Sequence, residues 1–206
     1  MKKRRSEATL KGVGIAVLAT IFARGFGFVR ELLIASVFGT SSLGDAFIVS
    51  LSIPDILVSG FSFAIATIYI PTFFLVKKET NDLVELEKYN TSVFSLMLLL
   101  GIVITTLVEL IPEYVVMLFA TGLDQQTINL TASLLRIISL SIMPIFLGSL
   151  FKAYGQIVNK FSNMTIYGCV INLTIIAALI IKGKQDIKLL AWSVVIGNVF
   201  YALITY

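Results

Sequence analysis

From residue 11 onward the chain alternates between long apolar runs and short polar breaks. The runs predict helices over about Lys11–Val37, Asp45–Leu75, Tyr89–Glu109, Gln126–Ile157, Ser162–Ile181 and Ile187–Tyr206. Each is long enough to cross a hydrocarbon layer of about 30 Å, which takes roughly 20 residues at 1.5 Å per residue. None keeps the two-residue alternation of a strand, and a membrane-spanning barrel needs many short alternating segments. The breaks are a turn at Gly39–Gly44, a charged connection Lys77–Lys88, a segment Pro112–Gln125, and a turn Lys182–Asp186. Within the third break, Ile111–Ala120 is expected as a short interfacial helix. The pattern predicts an all-α, polytopic transmembrane bundle of six spans. It reads as one transmembrane domain over residues 1–206, preceded by a basic tail at 1–10.

Composition agrees with a membrane protein. Of 206 residues, 57% are hydrophobic and only 14% are charged, against about 25% charged in an ordinary soluble domain. A soluble chain of this size has too little interior to hide so much apolar surface. The absence of His removes the commonest acid–base group and metal ligand, and a single Cys, Cys169, excludes an internal disulfide or a Cys-rich metal site. No metal, cofactor or nucleic-acid partner is expected. The basic start MKKRRSEATLKG resembles the opening of a signal peptide. The apolar run behind it is too long for one and contains Arg24 and Arg30.

The net charge is +4, and its placement predicts orientation. With the N-terminus in the cytoplasm, the inner side holds Lys2, Lys3, Arg4, Arg5, Lys11, Lys77, Lys78, Lys88, Lys152 and Lys160. The outer side holds only Lys182, Lys184 and Lys188. Ten against three favours that orientation. The last residues, VVIGNVFYALITY, are apolar up to Tyr206, which raises the expectation of a longer natural chain.

Charges inside the spans carry the candidate chemistry, because each costs about 2.5–3.5 kcal/mol at mid-bilayer unless it faces a cavity or a partner. Arg24 lies about 20 Å along the first helix from Lys11, and Arg30 about 9 Å further on. Six residues turn an ideal helix so that the two point about 120° apart. Gly25 and Gly27 lie between them and permit a hinge that brings both to one cavity. A guanidinium pair there suits a phosphate or pyrophosphate, whose oxygens it binds through a planar fork of donors. The alternative for Arg30 is a local pair with Glu31 or snorkelling to the outer interface.

Asp45 opens the second helix, either as a first-turn acid complementing the helix dipole or as a gating counter-ion for the arginines. Asp55 follows Pro54 near mid-membrane. Together with Gly60 and Pro71 it suggests a hinged, cavity-lining helix; the alternative is a structural partner for an arginine. Arg136 is read as facing the bundle interior, Glu109 as interfacial, Asn172 and Asn198 as interhelical hydrogen-bonding groups. Gly12, Gly14 and Gly148 are read as packing contacts.

The run Ala23-Arg24-Gly25-Phe26-Gly27-Phe28-Val29-Arg30-Glu31 resembles the S-R-x-x-G-F-x-R-[DE] opening of the MurJ/MviN family. Phe38-Gly39, Asp45-Ala46-Phe47, Ile53-Pro54, Ile70-Pro71, Asn159-Lys160-Phe161 and Asn172 follow in the family's order and spacing. The family belongs to the multidrug/oligosaccharidyl-lipid/polysaccharide (MOP) exporters. The resemblance implies the N-terminal six-helix lobe of a fourteen-helix, two-lobed flippase in the bacterial cytoplasmic membrane. It implies transport of undecaprenyl-pyrophosphate-linked lipid II by alternating access for peptidoglycan synthesis. Partners would be that lipid-linked glycan, the bilayer and a C-terminal lobe. By resemblance Arg24, Arg30 and Asp45 fall on cavity positions.

Family members often carry Pro-Asn, an Arg pair and then a Glu in the second helix. Here the run is Pro54-Asp55-Ile56-Leu57-Val58-Ser59 with Ser62 near the Glu position, so this cavity is less positive and holds an added carboxylate. Another polyprenyl-linked glycan (O-antigen, capsule or teichoic type) is the alternative cargo. A non-transporting membrane scaffold is a further reading, disfavoured by the buried arginines. A small-cation exporter would use Asp55 but not the arginine pair. An intramembrane aspartyl enzyme built on Asp45 and Asp55 lacks the first Gly of Gly-x-Gly-Asp, because Ser42 stands there, so no enzymatic activity is expected.

Overall fold

The computed structural model describes residues 21–80, 82–158, 163–182 and 186–205. The basic tail, the first span up to residue 20, Gly12, Gly14, Asn159–Phe161, residues 183–185 and Tyr206 lie outside the described residues. Every regular element among the described residues is helical, as the apolar runs predict. The elements are α1 (described over 21–38), α2 (Ser42–Ala64), α3 (Ile70–Glu79), α4 (Leu83–Leu110), α5 (Pro112–Phe119), α6 (Gln125–Ser139), α7 (Ile142–Ile157), α8 (Asn163–Lys182) and α9 (Ile187–Thr205). By length and composition three described helices can each cross a membrane, at Ser42–Glu79, Leu83–Leu110 and Ile187–Ile204. The bent pair α6 and α7 makes a fourth. The first and fifth expected spans fall only partly within the described residues.

Local chemistry sets the boundaries. Gly39 ends α1 with φ +58°, the left-handed conformation that glycine tolerates, and its amide bonds the Ala35 carbonyl at 2.8 Å. Ser41 then caps α2, its Oγ accepting from the Gly44 amide. The charged connection expected over Lys77–Lys88 is much shorter. Helix continues to Glu79 and restarts at Leu83, because Asp82 caps α4 by accepting from the Val84 amide at 2.9 Å. Pro112 sits in the first turn of α5, where its missing N–H costs nothing. At the start of α6 the Asp124 carboxylate accepts from the Thr127 hydroxyl and from the Gln126 and Thr127 amides. Those bonds, the hydroxyl first, hold its pKa below the usual carboxylate value.

Two departures from regular helix follow proline. The fourth expected span is not one helix: α6 and α7 meet at 45° across Leu140 and Ser141. Pro144 lies four residues past Leu140, so its ring clashes with the Leu140 carbonyl and supplies no donor to it. The amides of Leu140 and Ser141 fall back on i−3 carbonyls, Ile137 and Ile138. The second span, in contrast, runs unbroken through Pro54 and Gly60 as part of a 38-residue helix. Its irregularity is a π-helical turn at Ile65–Tyr69, next to Pro71, which cannot donate to the Thr67 carbonyl. The first helix is likewise continuous through Gly25 and Gly27.

Two apolar clusters hold the bundle together. One gathers Ile53, Val58, Tyr69, Phe73, Leu135 and Phe146 among α2 to α7. The other gathers Ile34, Phe47, Ile138, Ile175, Leu190 and Val194 among α1, α2, α6, α8 and α9. Small residues bring backbones close, as is usual where helices pack in lipid. A Cβ on Gly197 would lie 2.4 Å from Thr174 Oγ1, and one on Gly148 would lie 2.2 Å from the Tyr201 ring. Gly148 is thus a packing contact, as expected. The outer faces stay apolar: Phe22, Phe28, Phe63, Ile68, Leu99 and Phe200 are all exposed. That is the surface of a body solvated by lipid or by more protein, not by water.

Candidate functional site

The interior converges on Arg30. Its side chain is only 20% exposed, and the guanidinium is held from two sides. Nη1 donates to Asn172 Oδ1 of α8 at 3.0 Å, and Nη2 pairs with the neighbouring Glu31. Asn172 in turn donates to the Ala23 carbonyl at 3.3 Å. A Cβ at residue 27 would lie 3.4 Å from Asn172 Nδ2, an ordinary contact, so this approach of α8 to α1 does not itself require a glycine. The local Arg30–Glu31 pair is present, and so is a tie across the bundle that the pairing alternative alone does not include.

Arg30 also lines a small hollow of about 30 Å³ with Pro54, Asp55, Ser141 and Asn198. Six helices meet around it. Two buried polar atoms in its lining, Arg30 Nε and Asn198 Oδ1, have no hydrogen-bond partner among the described residues. Asp55, exposed on α2, lines the same hollow but forms no direct ion pair with Arg30. The ion pairs among the described residues are Arg30–Glu31 and Lys88–Glu85.

Asp55 lines a second, larger hollow as well. This one has a volume of about 400 Å³, lies between α2, α7 and α9, and is lined by Asp55, Ser59, Ser62, Ser149, Lys152 and Gln156 over an apolar floor that includes Ile145 and Tyr201. The Ser62 and Ser149 hydroxyls bond at 2.8 Å and join α2 to α7. Its volume falls within the range of small-molecule pockets, about 300–1,000 Å³. Lys152, counted in the sequence among the cytoplasmic lysines, stands half-buried in α7 and lines the same hollow as Asp55 of α2.

The remaining expectations fall as follows. Arg24 is exposed on α1 and lines neither hollow, so the two arginines are not brought together within these helices. Asp45 is exposed in the first turn of α2, the placement of a helix-dipole acid. Gly25 and Gly60 are exposed, with open space where a Cβ would sit. Arg136 is exposed rather than interior: α6 turns Ala132, Leu134, Leu135, Ile138 and Ser139 inward and leaves residue 136 on the outer stripe. Glu109 accepts from the buried Ser139 hydroxyl at 2.8 Å, a tie between α4 and α6. Asn198 does not bond between helices: its amide donates within α9, to the Val194 carbonyl at 2.9 Å. Lys152 is the functional candidate that sequence reasoning missed. Its signal was its position inside an apolar helix, about 8 Å before the helix end.

The family model for "Lipid II flippase MurJ" matches residues 34–206. The chain belongs to the lipid II flippase MurJ family. A probable lipid II flippase MurJ of Buchnera aphidicola subsp. Acyrthosiphon pisum is 30% identical over 192 residues, 90% of this chain and 37% of that protein. The lipid II flippase MurJ of Thermosipho africanus is 28% identical over 190 residues, 91% of this chain and 39% of that one. A solved structure of a lipid II flippase MurJ in an inward closed conformation superposes with a TM-score of 0.81 at 26% identity. The match covers 92% of this chain and 40% of that chain. The chain thus spans about two fifths of the length of these MurJ relatives and shares their fold over nearly all of its own.

Proposed function

We propose that this chain forms the N-terminal lobe of a flippase that carries lipid II, the undecaprenyl-pyrophosphate-linked peptidoglycan precursor, from the inner to the outer leaflet of the bacterial cytoplasmic membrane. The protein acts as a transporter and not as an enzyme. The N-terminus lies in the cytoplasm, in line with the lysine and arginine count, and a C-terminal lobe completes the cavity. The observation that carries the reading is Arg30: a guanidinium sunk in the first helix, braced by Asn172, and facing a hollow rather than lipid. Glu31 neutralises part of that charge from the neighbouring position, while Arg30 Nε keeps no acceptor among the described residues, which leaves donor capacity for an anionic ligand. Arg24, exposed about two turns away on the same helix, supplies the second cation from the face that the other lobe covers.

Transport proceeds by alternating access. The two arginines hold the pyrophosphate while the polyprenyl tail stays in the bilayer, since exposing a long hydrocarbon to water is strongly unfavourable. Asp55, in the lining of the same hollow, balances the charge of Arg30 at longer range than the Glu31 pair before cargo arrives, and Asp45 serves the same role at the outer end. Gly25, Gly27, Pro54 and Gly60 are the points where the helices flex as the lobes rock. The test is complementation of a flippase-depleted strain by the full-length protein. Arg24→Ala and Arg30→Ala abolish growth with membrane expression intact; normal growth of either variant overturns the anion site.

A further inference from the structure

The larger hollow does not have the chemistry of a phosphate site. Its two charged groups have opposite sign, Asp55 on α2 and Lys152 on α7, and they form no ion pair with each other. Between them lie hydroxyls and an amide from Ser59, Ser62, Ser149 and Gln156. A wholly anionic ligand is repelled by Asp55, which is exposed on this wall, and a neutral sugar gains no ion pair from either Asp55 or the half-buried Lys152. A group carrying both an ammonium and a carboxylate satisfies both walls at once. The hollow shares Asp55 with the smaller one that Arg30 lines, so a ligand here lies beside the anion site without occupying it.

We propose that the α2–α7–α9 hollow is a subsite for a zwitterionic, amino-acid-bearing portion of the cargo headgroup, with Asp55 receiving its ammonium and Lys152 its carboxylate. The inference rests on the flippase reading above and adds to it which part of the cargo this lobe selects. The same charges also suit a zwitterionic phospholipid headgroup, and the test separates the two sources.

The experiment measures equilibrium binding to the full-length protein in nanodiscs of phosphatidylglycerol, with and without phosphatidylethanolamine. Four probes are compared: polyprenyl-pyrophosphate disaccharide with its peptide intact, with peptide amines acetylated, with peptide carboxylates amidated, and with no peptide. The wild type binds each blocked probe about tenfold more weakly than the intact one, as expected for one charge-assisted hydrogen bond. Asp55→Asn removes the sensitivity to acetylation and Lys152→Gln removes the sensitivity to amidation. The exchange Asp55→Lys with Lys152→Asp restores both, since a zwitterion can turn around.

Equal binding of intact and blocked probes by the wild type overturns the proposal, as does an equal loss for all four probes in either variant. Sensitivities that follow the phosphatidylethanolamine content instead of the probe also overturn it, in favour of a lipid. If the peptide-free probe binds but no charge sensitivity appears, only this inference fails. If no polyprenyl-pyrophosphate probe binds at all, the flippase reading fails with it.

Discussion

The contact between Gly148 and Tyr201 offers a direct test of how α7 and α9 shape the larger hollow. Gly148→Ala places a Cβ 2.2 Å from Tyr201 Cε1, 2.8 Å from Cδ1 and 3.3 Å from Cζ. Ordinary carbon–carbon contact is about 3.5–4.0 Å, so the ring must retreat by more than about 1 Å or the helices must part. Tyr201 has little freedom to retreat: it is 2% exposed, and its hydroxyl donates to the Gly148 carbonyl at 3.3 Å. Overpacking of this kind costs about 1–3 kcal/mol. The ring lines the hollow, so its escape route shrinks that space. The assay is reversible unfolding of the full-length protein in detergent micelles, run as a double-mutant cycle with Tyr201→Leu. The clash account requires Gly148→Ala to cost at least about 1 kcal/mol in the native background and clearly less in the Tyr201→Leu background, a coupling of about 0.5–3 kcal/mol. The same cost in both backgrounds refutes it.

Other outcomes follow from the same geometry. Asn172→Leu removes the acceptor of Arg30 Nη1 and costs about 1–3 kcal/mol as a largely buried donor loses its partner; unfolding measurements on Asn172→Leu and Asn172→Asp check it, the Asp variant retaining an acceptor. Gly60→Ala enters open space, so it leaves stability unchanged or raised, and reduced transport at undiminished stability identifies Gly60 as a hinge. Asp124 has a folded pKa below its ordinary 3.8, so its contribution is complete above that value and is lost as the pH falls below it towards the lowered folded value; Asp124→Asn, which caps without titrating, flattens that part of a stability–pH profile. Pro144→Ala restores a donor for the Leu140 carbonyl and reduces the 45° bend, read as a longer spin-label distance between the far ends of α6 and α7.

Much of this fold is written in the apolar runs, because lipid forces each spanning segment to satisfy its own backbone as helix. The turn at Gly39–Gly44 and the short helix after Ile111 were legible for local reasons, a glycine with positive φ and a proline at a first turn. Helix ends in water were harder. Polarity at Lys77–Lys88 suggests a loop, yet charged residues continue a helix readily once Asp82 caps the next one. Pro54 and Pro144 look alike in sequence and act differently: the helix continues through the first and breaks four residues before the second. Each proline removes the same kind of backbone bond, so the local rule does not say which of the two helices bends.

The candidate site divides in the same way. Depth along a helix marked Arg30 and Asp55, and rise per residue is enough to find them. Direction was harder. A 120° separation holds Arg24 on the outside of α1 while Arg30 turns in, and Arg136 lies on the outer stripe of α6. Lys152 was hidden by a charge count that placed it with the cytoplasmic lysines, although it lines the same hollow as Asp55.

Translocation of a fluorescent polyprenyl-pyrophosphate glycan by the reconstituted full-length protein tests the central claim most directly. The account predicts that the wild type moves it between leaflets, that Arg24→Ala and Arg30→Ala each slow transfer at least about tenfold, and that Lys at either position restores part of the rate. Wild-type transfer by both alanine variants would contradict it.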